Sequence, residues 1–314
     1  MDLTGKRVVL CGGNGFLGRH LQDALNQEGV TPLIPARSEF DLREQADVRR
    51  LMRELRPQVL IHAAGLVGGI LANRERPAEF FHDNLVMGTT LLHEAWKAGV
   101  EKFVCLIGGC SYPAQAPNPI KEEYLWDGYP QGESAAYSVA KKMLVVQSDA
   151  YRRQHGFDSI VLVPGNVYGP HDNFHLENSH VIPALIRKVF EAQQRGERVF
   201  TAWGSGAPVR DFIYAGDAAR AIVLATRKWR SSEIINISSG RPTTIRELVE
   251  TVIRLTRYEG ELRWDTSKPD GQMYKGFDVT RMRNELGFEP QVSLEEGLRR
   301  TIAWYAEHHG EARR

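Results

Sequence analysis

The 314-residue chain is predicted to be an α/β protein, a doubly wound parallel sheet with a smaller mixed α/β C-terminal lobe. Three observations carry this expectation. Short apolar runs alternate with stretches of helical spacing, a glycine-rich turn joins the first run to the first helix, and the texture changes after residue 165. The division expected is 1–165 for nucleotide binding and 166–314 mainly for substrate, with some later segments returning to the first unit.

Lys6-Arg7-Val8-Val9-Leu10-Cys11 ends in glycines, and Phe16, Leu17, His20, Leu21 and Leu25 then recur at helical spacing as far as Gly29, giving strand, tight turn and helix. The alternation continues with a strand over 31–35, a helix over 47–56, a strand over 59–63, a helix over 84–98, a strand over 103–107, a helix over 136–155 and a strand over 159–163. Such alternation calls for a parallel sheet covered on both faces. Residues 164–180 read as a loop. Beyond it come a helix over 181–195, a strand over 198–202, a helix over 216–227, a strand over 234–238, a helix from Thr243 and a tail helix from Leu294.

Forty Lys and Arg against thirty-nine Asp and Glu leave a net charge of +1, which lacks the basic excess of a nucleic-acid binder. The three cysteines, Cys11, Cys105 and Cys110, are odd in number and lie in or beside apolar runs, which fits a reducing compartment. The N-terminal residues show no signal-peptide pattern, and the longest apolar stretch, 60–72, is interrupted by His62 and glycines. A soluble cytoplasmic protein with no membrane partner is expected.

Gly12-Gly13-Asn14-Gly15-Phe16-Leu17-Gly18 lies between the first strand and the first helix. There the first glycine permits the turn, the second lets backbone approach a pyrophosphate, and the third lets the helix pack on the sheet. The alternative is a tight connection that binds nothing. Thr31-Pro32-Leu33-Ile34-Pro35-Ala36-Arg37 has no acid at the tip and ends in an arginine suited to a 2′-phosphate, which predicts NADP(H). In the NAD alternative, Glu39 or Asp41 would hold the ribose; Asp41-Leu42 otherwise borders the adenine. Tyr137 and Lys141 stand one helical turn apart, where a cation helps a phenol of ordinary pKa about 10 to act as a proton shuttle. His171, His175 and His180 match no zinc spacing, so no metal is expected.

With these motifs the chain resembles the extended short-chain dehydrogenase/reductases, and within them the GDP-L-fucose synthases. The resemblance runs through Gly12–Gly18, Ala63-Ala64-Gly65-Leu66-Val67-Gly68-Gly69-Ile70, Cys110-Ser111-Tyr112-Pro113, Tyr137–Lys141, the segment 164–174, His180-Val181-Ile182-Pro183, Trp203-Gly204-Ser205-Gly206 and Lys268-Pro269-Asp270-Gly271. It implies a Rossmann fold, a homodimer joined by the helices near 84–98 and 136–155, and an enzyme that epimerises C3 and C5 of GDP-4-keto-6-deoxymannose and reduces C4 with NADPH. It also implies that Tyr137, Lys141, Cys110 and His180 are catalytic. The cofactor would be held by Gly12, Gly13, Asn14, Gly15, Phe16, Leu17, Gly18, Arg37, Asp41, Leu42, Ala63, Ala64, Gly65, Leu106, Ile107, Gly108, Gly109, Pro164, Asn166 and Val167, together with Tyr137, Lys141 and His180. The nucleotide-diphosphate sugar would be contacted by Asn166, Lys188, Trp203, Arg210, Asp270 and Lys275.

Epimerisation beside a ketone needs one group to remove a proton and another to return one on the opposite face, the roles the resemblance implies for Cys110 and His180. Read alone, Cys110 is a small buried hydrophobe, His180 a residue before a helix, Asn84 a helix cap and Arg210-Asp211 an ion pair. In one place the chain departs from the family. Four residues before Tyr112 a hydroxyl residue is usual, and here stands Gly108. That departure keeps open a 4-reductase or 4-epimerase for another nucleotide-sugar and, in a different class, a non-catalytic NADP sensor.

Overall fold

The computed structural model describes residues 1–176 and 178–312. The chain runs β1 (Val8–Cys11), α1 (Phe16–Gln27), α2 (Gln45–Leu55), β2 (Val59–His62), α3 (Ile70–Glu75), α4 (Pro77–Lys97), β3 (Lys102–Leu106), α5 (Ala135–His155), β4 (Ser159–Pro164) and β5 (Asn166–Tyr168). It continues through α6 (Val181–Gln194), β6 (Val199–Trp203), β7 (Val209–Tyr214), α7 (Ala215–Lys228), β8 (Ile235–Ile237), β9 (Pro242–Thr244), α8 (Ile245–Thr256), β10 (Glu261–Asp265), β11 (Tyr274–Lys275) and α9 (Leu294–His308). Among the described residues no helix is long and apolar enough to cross a membrane.

β1, β2, β3, β4 and β8 form a parallel sheet in that order. On the other edge of β1 lies the segment around Leu33, whose N–H donates to Val8 O at 2.8 Å and whose carbonyl accepts from Leu10 N at 2.9 Å. The strand expected over 31–35 is thus a single bridge. Pro32 and Pro35 have no N–H to give a ladder and bracket it closely. Because the chain leaves β1 for Leu33 on one side and then crosses to β2 on the other, the topology switches at the C-terminal end of β1. Open α/β sheets bind their ligands at such a point.

Helices cover both faces. Leu10, Ile61, Val104, Leu162 and Ile235 pack against Leu21 and Leu25 of α1 and Ala218 and Ile222 of α7. Val9, Leu60, Phe103 and Val161 pack beneath Leu51 of α2, Leu91 of α4 and Leu144 of α5. Each fully buried side chain of this size contributes about 1.5–3 kcal/mol. The alternation of β-strand side chains between these two cores is why the strands read as unbroken apolar runs.

A third core joins Tyr168, Phe174, Ile186, Val189, Phe212, Val252 and Leu298 between α6, α8 and α9. Its sheet parts are the parallel pair β10–β6 and the array β11–β7–β5, with β9 antiparallel to β7. β5 falls inside the stretch expected as loop, and β7 was not expected because Arg210 and Asp211 interrupt its apolar pattern. The helix expected from Asn84 begins seven residues earlier, at Pro77, a residue favoured in the first turn because it needs no N–H there. Asn84 is therefore inside the helix and not its cap. Other boundaries differ by a residue or two.

Candidate active site

At the switch point, Gly12 adopts φ +85°, and a Cβ on it would lie 2.6 Å from Ala64 N. The turn therefore runs hard against Ala63-Ala64-Gly65 at the end of β2. A Cβ on Gly18 would stand 2.1 Å from Gly12 O, so only glycine lets α1 pack under the turn. α1 begins with no capping side chain and no acid in its first turn, which leaves its first N–H groups and its dipole for an anion. A cradle closed to any Cβ and lined by backbone donors fits a dinucleotide pyrophosphate.

Arg37 is exposed and, among the described residues, belongs to no ion pair. Asp41 is committed elsewhere: Arg43 donates to both its carboxylate oxygens, Nε to Oδ1 at 3.0 Å and Nη2 to Oδ2 at 2.6 Å, and holds its pKa down to about 2. Arg43, which the sequence did not single out, also reaches Asp83 at 3.3 Å. Leu42 is half-buried against the core beside them. A free arginine and a spoken-for aspartate suit a 2′-phosphate better than a ribose diol.

Tyr137 and Lys141 project from the first turns of α5. Lys141 is buried, with its Nζ 3.8 Å from where a Cβ on Gly65 would stand. Burial lowers the pKa of Lys141 and raises that of Tyr137. Phe80 of α4 sets its ring edge-on to Tyr137, 6.4 Å between centroids. Asn84 bridges α4 to the loop after β2: Oδ1 accepts from Leu66 N at 3.1 Å, and Nδ2 donates to Leu66 O at 3.0 Å. His62, at the end of β2, is buried with both ring nitrogens unpartnered, and burial with nearby Lys141 pushes its pKa well below the usual range.

Leu106 ends β3, Ile107 follows it with its N–H donating to Leu162 O at 3.0 Å, and the chain then turns through Gly108, Gly109 and Cys110. A Cβ on Gly108 would lie 3.1 Å from Cys110 Sγ and 3.8 Å from Tyr137 Oη. The glycine is thus the space between thiol and phenol. Phe277 covers Gly109 so closely that a Cβ there would meet its ring at 2.4 Å. Lys275, two residues before Phe277, is the register partner of Arg210 across β11 and β7. Burial lowers the pKa of both cations. Among the described residues neither has a carboxylate partner.

The Arg210–Asp211 ion pair, the alternative to a diphosphate role for Arg210, does not form. Asp211 is buried and accepts from the N–H and hydroxyl of Ser239 and from Gly240 N. Pro164 ends β4, Val167 lies in β5, and Asn166 donates Nδ2 to Asp211 O at 2.8 Å, which ties β5 to β7. His180 immediately precedes α6, on a loop docked by a Gly69 N–H bond to Asn178 O at 3.1 Å. The residue as a whole is exposed, while the protein surrounding its imidazole lowers its pKa by desolvation. Asp270 receives hydrogen bonds from Ser205 N at 2.7 Å and Ser205 Oγ at 2.8 Å, so its carboxylate is already used within the protein. Trp203 is 65% exposed with Lys188 Nζ 4.6 Å from its ring centroid. Among the described residues no cluster is placed to hold a metal.

Fold and cleft together define a dinucleotide-binding α/β protein with a tyrosine and a lysine set beside the nucleotide cradle. The chain belongs to the NAD dependent epimerase/dehydratase family, whose model matches residues 8–238. It is 40% identical over 306 residues to GDP-L-fucose synthase 1 of Arabidopsis thaliana, covering 97% of this chain and 94% of that one. A GDP-L-fucose synthetase from Naegleria fowleri bound to NADP superposes with a TM-score of 0.92 at 28% identity, over 100% of this chain and 98% of that one. A GDP-6-OMe-4-keto-L-xylo-heptose reductase from C. jejuni superposes with a TM-score of 0.88 at 26% identity, over 96% and 98%.

Proposed function

We propose that this protein is an NADP-dependent nucleotide-sugar epimerase and reductase that converts GDP-4-keto-6-deoxymannose to GDP-L-fucose. The observation that carries the reading is the convergence of Cys110 and Tyr137 on the space at Gly108, in the cleft that Arg210 and Lys275 border. The relatives named above act on or are named for GDP-sugars. Gly12 to Gly18 and Ala63 to Gly65 would hold the pyrophosphate and Arg37 the 2′-phosphate, with Leu106 to Gly109, Pro164, Asn166 and Val167 lining the nicotinamide end. Bound NADPH supplies the hydride that reaches C4.

Tyr137 protonates the C4 oxygen as charge develops there. It needs no base to do so, because burial keeps it in its acid form. Lys141 holds ribose hydroxyls and steadies the phenolate that results. Cys110 and His180 move the protons at C3 and C5 before reduction, and a ketone at C4 acidifies both positions by delocalising the carbanion. Arg210, Lys275 and Lys188 bind the diphosphate, and Trp203 offers its indole to the base. Asp270, whose carboxylate Ser205 already engages, positions its loop in this account.

We also place nucleotide binding in 1–165 with the returning segments α7 and β8, and substrate binding mainly in 166–314. The protein is a cytoplasmic homodimer in this reading, supported by α4 and α5, which pack together and leave Phe81 and Val146 exposed. Light scattering of the purified protein measures its mass in solution, and a monomer mass would remove the dimer. Mixing protein, NADPH and GDP-4-keto-6-deoxymannose tests the activity. Oxidation of one NADPH per sugar is expected; unchanged nicotinamide absorbance with NADPH bound would leave the sensor reading.

A further inference from the structure

Trp203 ends β6 and carries not one ammonium group but two. Lys188 Nζ from α6 lies 4.6 Å from its ring centroid and Lys268 Nζ lies 5.6 Å from it. Lys268 comes from the loop after β10, and β10 pairs with β6 so that Asp265 is the register partner of Trp203. That loop is built to return over the indole. Lys268 N–H donates to Asp265 O at 3.2 Å, and Ser267 donates its N–H and hydroxyl to Asp265 Oδ1. Its far end is fixed by Asp270, which receives both hydrogen bonds from Ser205. Gly204 has φ +81°, and a Cβ on it would lie 2.4 Å from Asp270 Oδ1, so the two strands' loops meet with no room for another side chain.

The two lysines differ in setting. Burial lowers the pKa of Lys188, whereas Lys268 is exposed. Among the described residues neither ammonium takes part in a direct ion pair; each lies over the indole, and the Lys268 charge is also felt by Asp265, whose pKa it helps to lower. An exposed cation–π contact is weak, and a charge-assisted hydrogen bond to phosphate is stronger. A flexible lysine stem allows exchange of one for the other.

We propose that Lys268 is a ligand-responsive phosphate residue. In the free protein it occupies the indole of Trp203; when a nucleoside diphosphate enters, the base takes the ring and Lys268 transfers to the diphosphate, with Asp270 as the positioning residue that keeps its loop within reach. This deepens the nucleotide-sugar reading and rests on it. It predicts discrimination by phosphate. A base without phosphates must displace the lysine and gives nothing back, whereas a diphosphate rewards the move.

Calorimetric titration of the full chain with GDP and with guanosine tests the proposal. Lys268→Met should weaken GDP about tenfold, flatten the salt dependence of GDP binding, and leave guanosine unchanged or tighter. Lys268→Arg should keep most of the GDP affinity. Asp270→Ala should lower the GDP-to-guanosine affinity ratio in the same direction. Equal loss of GDP and guanosine in Lys268→Met would overturn the proposal, since the lysine would then merely support the loop. So would wild-type GDP affinity in Lys268→Met alongside a loss in Lys188→Met or Arg210→Met. If wild type fails to bind GDP, or Lys268→Met, Lys188→Met and Arg210→Met all bind it as wild type does, the nucleotide-sugar reading itself fails and this proposal with it.

Discussion

Gly108 leaves open a space that Cys110 and Tyr137 border, and a Cβ there would already press on the thiol at 3.1 Å. Gly108→Ser should therefore act in two ways. Its hydroxyl adds a hydrogen bond to the C4 oxygen, worth about 1–3 kcal/mol and so a gain of about one to two powers of ten in reduction of an already epimerised sugar, with NADPH affinity unchanged. Its Cβ displaces Cys110, so deuterium exchange at C3 or C5 should fall. A fall in reduction would mean that the glycine admits a bulkier sugar. Tyr137→Phe removes the acid and should cost about 10²–10⁴ in reduction while NADPH still binds, and retained turnover would end its assigned role. Cys110→Ser and His180→Gln should impair solvent exchange more than reduction of the epimerised sugar. Equal loss in both assays would make them binding residues.

At the scale of elements, β7 joins the lobe's sheet to the cleft: Arg210 is turned to β11 while Asp211 is buried and accepts from Ser239 and Gly240. Asp211→Ala would leave two buried donors and one part-buried donor without an acceptor and should destabilise the protein by about 2–4 kcal/mol, read as a lower midpoint in urea. A midpoint within error of wild type would show that water replaces the carboxylate. The same strand marks what sequence alone conceals. β1, α1 and the glycine turn were legible because local propensity, apolar period and turn chemistry agree there. β7 was hidden because a charged pair inside it finds its partners only in tertiary structure, and β5 because three residues next to a glycine carry no period. The segment at Leu33 read as a strand from its apolar residues, although its flanking prolines allow one bridge. In the site, Tyr137, Lys141 and Cys110 stood out by spacing and motif. Lys268 over Trp203, Arg43 on Asp41 and Phe277 over Gly109 depend on contacts between distant segments, which no local pattern announces.

Across the whole molecule, the first sheet is completed by β8, and α7 packs with α1 in its core, so residues far along the chain support the nucleotide cradle. The chain crosses between the two regions repeatedly, and each crossing brings a cleft residue: Asn166 on β5, Arg210 on β7 and Lys275 on β11. Such a layout sets the proposed cofactor and sugar residues on neighbouring segments, which suits one cleft performing proton transfer and reduction in turn. The central claim is that both steps occur here despite Gly108. The measurement that meets it most directly is turnover of GDP-4-keto-6-deoxymannose with NADPH in deuterated water, with the product examined by NMR. The account predicts stoichiometric NADPH oxidation and GDP-L-fucose carrying deuterium at C3 and C5; oxidation to a product without deuterium at either carbon would contradict it and leave a plain 4-reductase.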